Sequence, residues 1–412
     1  MREYNTLDDF NIENKTVLLR VDFNLPLDKK TLEILDTTRI ERALPTIKEL
    51  VSKKAKTVIL AHQGRPGSWD FINLDKHAKA LEKLLGVHVQ FVDDIYGEKA
   101  KTAMKNLKPG EVLMLDNVRK FPGETEKKTP EEHAKSELVQ NLYPLADLFI
   151  NDAFAAAHRK QCSLVGFTPV LPSCAGRLME KELTTLGKII ANPEKPSVFL
   201  FGGAKFSDVV VTIERLLENK TADEILLTGL PANAFLKAQG IKLGDKNEGI
   251  LKEEGTTELY EDIRKLLKQY EKNIYLPVDF AIQKNNDRSE VNISDLPTEY
   301  NLYDIGEKTI NNFKNIISEA KTVFLSGPCG VFENPLFMKG TKEIFTYVAN
   351  LDVFSIVGGG HTVAAVEQLG LENKISHIST GGGSLEKFMM GKKLPAVEAL
   401  KNAKKQIILD KK

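Results

Sequence analysis

Only three cysteines, Cys162, Cys174 and Cys329, occur in 412 residues, and no two have Cys-x-x-Cys spacing. That excludes a disulfide framework and a cysteine-based zinc site, and it fits a reducing, cytoplasmic compartment. Neither charge is in surplus, since 57 Lys and Arg meet 57 Asp and Glu. A nucleic-acid binder working through a broadly basic surface is therefore not expected. No apolar run reaches the ~18 residues that a membrane span needs. The longest uncharged stretch, Gln161–Gly176, is interrupted at Gly166, Pro169 and Pro172. The first fifteen residues, MREYNTLDDFNIENK, are polar and acidic, so no signal peptide is expected. Several signatures are also missing: GxxxxGK[ST], HExxH, GxSxG and the HRD and DFG pair. Gly358–Val363 lacks the third small residue of GxGxxG, which weighs against a dinucleotide-binding dehydrogenase. The seven histidines are not spaced as a metal-ligand cluster. His77, His88, His133 and His377 read as structural or solvated, the cysteines as packing residues, and Trp69 as a partly buried anchor.

What the chain does contain is a series of short apolar runs separated by amphipathic segments. In the first half the runs are Val17–Phe23, Val58–Ala61, Val87–Val92, Val112–Leu115 and Leu148–Ile150. In the second they are Val198–Phe201, Ile225–Leu227, Ile274–Phe280, Val323–Leu325, Val353–Val357 and Ile375–Ile378. Several are continuous rather than alternating, as strands covered on both faces should be. Helical periodicity fills the gaps, for example at 39–53, 74–85, 130–142, 256–270 and 307–318. The pattern predicts an α/β protein of two Rossmann-like three-layer domains with parallel sheets, joined by a helix and hinge. The Pro/Gly-rich stretch 166–176 marks the expected boundary, dividing residues 1–170 from 171–390, and 177–191 is the expected connecting helix. A short echo, Leu19-Arg20-Val21-Asp22-Phe23 against Leu276-Pro277-Val278-Asp279-Phe280, places an Asp near a strand end in each half.

In open α/β sheets ligands bind beyond the carboxyl ends of the strands. Those ends differ in kind between the two halves. The first half has RVDFN (20–24), AHQGRP (61–66), DNVRK (116–120) and NDAFAAAHR (151–159), with Arg39 opening the first long helix. Seven of the eleven arginines precede residue 160 and none follows Arg288. A guanidinium is a planar fork matched to phosphate or carboxylate oxygens, so this set points to a small, multiply charged anion. The second half has FGGAK (201–205), TGLPAN (228–233), SGPCGVFE (326–333), VGGGHT (357–362) and STGGGS (379–384). Glycines let backbone approach phosphate oxygens, and the helices that follow supply N–H donors. An anion site and a nucleotide-phosphate site in separate halves imply phosphoryl transfer, with closure of the halves excluding water.

The quoted segments, with GRLMEKEL and HISTGGGSLEKFMMGKKLPAVEAL, closely resemble the phosphoglycerate kinases in order along nearly the whole chain. AHQGRP, DNVRKFPGE and VGGGHT resemble the archaeal branch of that family. The resemblance implies reversible transfer of the acyl phosphate of 1,3-bisphosphoglycerate to Mg-ADP, giving 3-phosphoglycerate and ATP, in glycolysis and gluconeogenesis. It implies an N-terminal domain that binds 3-phosphoglycerate and receives the C-terminal tail 391–412, and a C-terminal nucleotide domain. Carried over by position, Asp22, Phe23 and Asn24 bind the glycerate end of the substrate. His62, Gln63, Gly64, Arg65, Arg119 and Arg159 surround the 3-phosphate, and Arg39 reaches the reacting carboxyl. Lys205 and backbone N–H groups near Gly360 and Gly383 neutralise the transferring phosphoryl group. Gly202, Gly203, Gly306 and Pro328 line the adenosine pocket, Glu333 holds the ribose, and Gly358, Gly359, His361 and Thr362 complete the nucleotide site. Mg²⁺ is the implied cofactor and ATP or ADP a substrate; the partners are small molecules, with no nucleic acid and no membrane. A monomer is expected, with a homodimer as the alternative. Three departures stand out: His361 replaces the usual Asp, Val209 a second lysine, and Ser326 an Asn. Because Mg²⁺ prefers oxygen, His361 is not expected to bind it, and the metal ligands stay unassigned.

Overall fold

The computed structural model describes residues 2–204, 206 and 208–410, the side chains of 406–410 excepted. It divides into two compact units, Met1–Thr184 with Lys393–Lys412, and Thr185–Lys392.

The first unit is built on a six-stranded sheet in the order β3-β4-β2-β1-β5-β6. The strands are β1 Thr16–Arg20, β2 Lys56–Leu60, β3 Val89–Val92, β4 Val112–Leu115, β5 Leu148–Asn151 and β6 Ser173–Ala175. All neighbouring pairs are parallel. Successive side chains point to opposite faces. Val17, Leu19, Ile59, Met114 and Ile150 accordingly enter one buried cluster. Leu18, Val58, Leu60, Leu113 and Phe149 enter another on the opposite face. Each such side chain contributes roughly 1.5–3 kcal/mol by burial, which is why the runs are continuously apolar. The stretch read as a boundary contains β6, paired with β5, so the division comes later. It falls at Thr184/Thr185, inside the helix Arg177–Ala191. The tail belongs to the first unit: Ala396 N–H donates to the Ala157 carbonyl (3.1 Å) and Lys404 Nζ to the Arg2 carbonyl (2.7 Å).

The second unit repeats the plan, with a parallel sheet in the order β15-β14-β13-β7-β8-β9. Its strands are β7 Ser197–Phe201, β8 Glu224–Leu227, β9 Ile274–Tyr275, β13 Thr322–Ser326, β14 Phe354–Gly358 and β15 His377–Ile378. A further three-stranded antiparallel sheet, not expected from the sequence, consists of β10 Asp279–Lys284, β11 Asp287–Asn292 and β12 Asp304–Ile305. The run 274–280, read as one strand, is split between the two sheets around Pro277, which has no N–H to give a ladder. The hairpin turn is Asn285-Asn286, both at positive φ (51° and 64°), the conformation of a two-residue hairpin loop. The helix read over 130–142 is two pieces, Pro130–Ala134 and Glu137–Leu142, because Ser136 Oγ caps the second at Val139 N–H.

Candidate active site

Each main sheet has one place where successive connections leave in opposite directions. In the first it lies between β1, which leads to β2, and β5, which leads to β6 on the other side. In the second it lies between β7 and β13. Crevices form beyond the strand ends at such points.

The segment after β1 carries Asp22. Arg39, in the first turn of the helix Thr38–Ser52, donates from Nη1 to Asp22 Oδ2 at 2.6 Å. His62 Nδ1 lies 3.9 Å from Asp22 Oδ1 and 3.1 Å from Arg20 Nη2. Burial pulls the Asp22 carboxyl upward, but His62, Arg39 and Arg20 outweigh it and hold it at about 2. Burial pushes the His62 imidazole well below its usual range; Asp22 opposes this, while Arg20, Arg119 and Arg159 add to it. Near pH 7, where burial leaves His62 neutral, the cations facing Asp22 are the two guanidiniums, and the imidazole adds its charge only at low pH, where it is itself protonated. Arg119 is almost wholly buried, and burial, then Arg159 and Arg20, lowers it to about 10. It donates from Nη1 to the Gly64 carbonyl, while its Nε has no partner in the structure. Arg159 Nε donates to His158 Nε2 at 3.3 Å. Arg65 is exposed, its backbone N–H held by Ser68 Oγ.

Other expected residues take part through backbone or support. The Phe23 side chain is fully buried in the core, so only its backbone is available to a ligand. Gln63 is also buried: its amide accepts from Leu25 N–H (2.8 Å), donates to the Leu25 carbonyl (3.1 Å) and meets His77 Nε2 (3.0 Å). It pins the β1 loop to the β2 loop. Asn24 Oδ1 does the same by accepting from Gly64 N–H at 2.9 Å. Gly64 sits at φ +65°, and an added Cβ would lie 2.5 Å from the Asp70 backbone, so close approach demands glycine. The sequence echo is not a functional pair. Asp279 caps the helix Glu307–Ser318, accepting from the backbone N–H of Lys308 and Thr309.

In the second unit a cavity of about 310 Å³ opens at the β7/β13 divergence. Gly202, Gly203, Pro328, Gly359, Gly360, His361 and Thr362 line it. The loops lock together: Gly202 N–H donates to the Ser326 carbonyl, Gly203 N–H to the Pro328 carbonyl (both 2.8 Å), and Gly327 N–H to Thr362 Oγ1 (2.7 Å). The helices Gly360–Gln368 and Val209–Glu218 begin at this cavity, presenting N–H groups without intrahelical partners. Phe206, Val209, Leu385 and Met389 form an apolar wall that the sequence reading missed. Val209 opens one helix and Leu385 and Met389 lie four apart on another, so only packing of segments distant in sequence brings them together. Lys205 lies outside the described residues. Gly306, Glu333, Gly358 and Gly383 are not in the lining. Gly306 is the N-cap beside Asp279, and Gly358 packs on Leu385. Glu333 is exposed, and Gly383 opens the helix Gly383–Met389 while its neighbour Gly382 lines the cavity.

A family model described as phosphoglycerate kinase matches residues 7–392. The chain belongs to the phosphoglycerate kinase family. It is 47% identical over 399 residues to a phosphoglycerate kinase of Methanobacterium bryantii, covering 97% of both chains. It is likewise 47% identical to one of Methanococcus maripaludis, covering 96% of this chain and 97% of the other. The crystal structure of phosphoglycerate kinase from Pyrococcus horikoshii OT3 is similar, with a TM-score of 0.89 at 39% identity, covering 97% of this chain and 99% of that one. The family's enzymes are kinases.

Proposed function

We propose that the chain catalyses the reversible transfer of the acyl phosphate of 1,3-bisphosphoglycerate to Mg-ADP, giving 3-phosphoglycerate and ATP. The observation that carries this reading is the division of labour between the units: guanidiniums at the strand ends of one, bare backbone at those of the other. Arg119, Arg159, Arg65 and neutral His62 take the 3-phosphate. Asn24 and the Asp22 carboxylate orient the glycerate hydroxyl. Arg39, held in place by Asp22, neutralises charge at the reacting carboxyl. The N–H groups at Gly360 and the Lys205 ammonium stabilise the phosphoryl oxygens as the transfer proceeds. Positioning and charge account for the chemistry, and no covalent enzyme intermediate is required.

Among the described residues no group of three or more His, Cys, Asp or Glu side chains could hold a metal ion. The carboxylates lining the cavity are those of Asp208 and Glu386. That donor set suits Mg²⁺ carried mainly by nucleotide phosphates and water, with Asp208 and Glu386 as the carboxylate oxygens the protein would offer and no part for His361. When bound, the ion supplies further neutralisation of phosphate charge. No described helix is long and apolar enough to cross a membrane. A cytoplasmic location is part of the same proposal, supported by three buried cysteines outside any disulfide, and a monomer is proposed with it.

The test is a coupled assay with ATP, Mg²⁺ and 3-phosphoglycerate. ADP should form only when all three are present, and a rate no higher than with ATP and Mg²⁺ alone overturns the assignment.

A further inference from the structure

Behind the anion site lies a chain of four buried polar residues, of which only His62 enters the proposed mechanism. Arg20, at the end of β1, and Ser163 are fully buried; Glu124 and His62 are 1% and 3% exposed. Arg20 donates from Nε to Ser163 Oγ (2.8 Å), from Nη1 to the Val21 carbonyl, and approaches His62 Nδ1 with Nη2 (3.1 Å). Ser163 in turn donates from Oγ to Glu124 Oε1 (2.7 Å) and from its backbone N–H to Oε2 (2.9 Å). Each nitrogen of Arg20 meets one partner, and at His62 the direction of the bond is forced.

A guanidinium has donors and no acceptor, so His62 Nδ1 must accept. The imidazole proton is then on Nε2. Asp22 Oδ1, the one carboxylate oxygen within 4 Å of Nδ1 among the described residues, stands at 3.9 Å, beyond hydrogen-bond distance, and cannot compete for a proton there. A second proton on Nδ1 would set donor against donor and cation against cation. The Ser163 hydroxyl has a single hydrogen, spent on Glu124, which leaves its oxygen free to receive Arg20 Nε. The plane of the Arg20 guanidinium is therefore held from the far side.

We propose that Glu124 and Ser163 are positioning residues which, through Arg20, fix His62 as the neutral tautomer protonated on Nε2. His62 then offers one N–H donor to an anion without adding charge to a site already rich in guanidinium. That His62 meets the substrate phosphate rests on the function proposed above; the tautomer does not.

The test is a long-range ¹H–¹⁵N spectrum of the intact chain labelled at histidine, with His62→Gln identifying the His62 signals. The native protein should show the Nε2–H form at neutral pH. Ser163→Ala should convert it to a mixture of tautomers, and Ser163→Thr, which restores the hydroxyl, should recover it. The KM for 3-phosphoglycerate should rise roughly tenfold in Ser163→Ala, the worth of one charge-assisted hydrogen bond, with the KM for ATP unchanged. A native His62 protonated on Nδ1, or on both nitrogens, overturns the proposal, as does a Ser163→Ala spectrum identical to the native one. Should Ser163→Ala fail to fold, Glu124→Gln, of equal volume, gives the same reading. A tautomer change in a chain that forms no ADP from 3-phosphoglycerate supports the relay and overturns the function instead.

Discussion

Arg39 reaches back from the first turn of its helix to donate to Asp22 at 2.6 Å, an ion pair joining residues 17 positions apart. Asp22 is 12% exposed at its side chain and Arg39 42%, so the carboxylate is the buried, fixed member. The pair orients an arginine whose other donors stay available to a ligand.

Asp22→Asn should therefore weaken both folding and substrate binding. The folded carboxyl stands at about 2 against its ordinary value of 3.8. A lowered carboxylate contributes stability that is complete above pH 3.8 and lost as pH falls from there toward 2. The contribution is about 2 kcal/mol, at ~1.4 kcal/mol per pKa unit. Denaturant unfolding should show Asp22→Asn less stable by this order at pH 7, with the gap closing between pH 4 and 2. A gap independent of pH would show that Asp22 is not held ionised by its neighbours.

Arg119→Lys should raise the KM for 3-phosphoglycerate roughly tenfold or more while leaving the KM for ATP unchanged. A lysine keeps the charge but loses the planar fork and the unpartnered Nε. Steady-state kinetics with each substrate varied in turn would decide it. Equal effects on both substrates would contradict the assignment of Arg119 to the anion site.

Gly327 and Gly240 have nearly the same φ, +94° and +95°, yet their surroundings differ. A Cβ on Gly327 would lie 2.1 Å from the Gly202 carbonyl oxygen, whereas one on Gly240 meets nothing within 4 Å. Gly240→Ala should cost about 1 kcal/mol from backbone strain alone. Gly327→Ala should cost about 3 kcal/mol or more and reduce nucleotide binding, since Gly202 and Gly327 shape the cavity. Chemical denaturation and nucleotide titration measure the two effects. Comparable losses would mean that the loop contact is not a constraint.

Lys205→Ala should lower kcat by orders of magnitude and leave 3-phosphoglycerate affinity nearly unchanged, because Lys205 belongs to the unit opposite in sequence to the anion site. A parallel loss of that affinity, measured by calorimetry without nucleotide, would refute the division of substrates between units.

His361→Asp restores the residue usual in the family. If phosphates and water carry most of the metal's coordination, the dependence of rate on Mg²⁺ concentration should change only modestly. A strong leftward shift of the magnesium titration would show that residue 361 contacts the ion directly.

Much of this architecture is legible in one dimension. The continuous apolar runs at 112–115 and 198–201 read as buried parallel strands because both faces of each strand need covering, and both sit in parallel sheets. The antiparallel sheet was not legible, although Asn285-Asn286 marks its turn, because β11 is largely polar and half-exposed. Arginines and glycines at strand ends point to the two sites, since residue chemistry alone limits what can bind phosphate. The echo at Asp22 and Asp279 shows the limit of such reading: identical neighbours, but one residue holds Arg39 and the other caps a helix.

By itself, the sequence determined the class of fold, the gathering of arginines at the strand ends of one half and glycines at those of the other, and the family. Those depend on periodicity and residue type, which are local. Tertiary structure alone decided which way each side chain points. Phe23 and Gln63 turned inward as supports, Val209 and Leu385 came together as a wall, and Glu124 met Ser163 behind Arg20. Hydrogen-bond direction and burial depend on neighbours distant in the chain, and only packing brings those neighbours into contact.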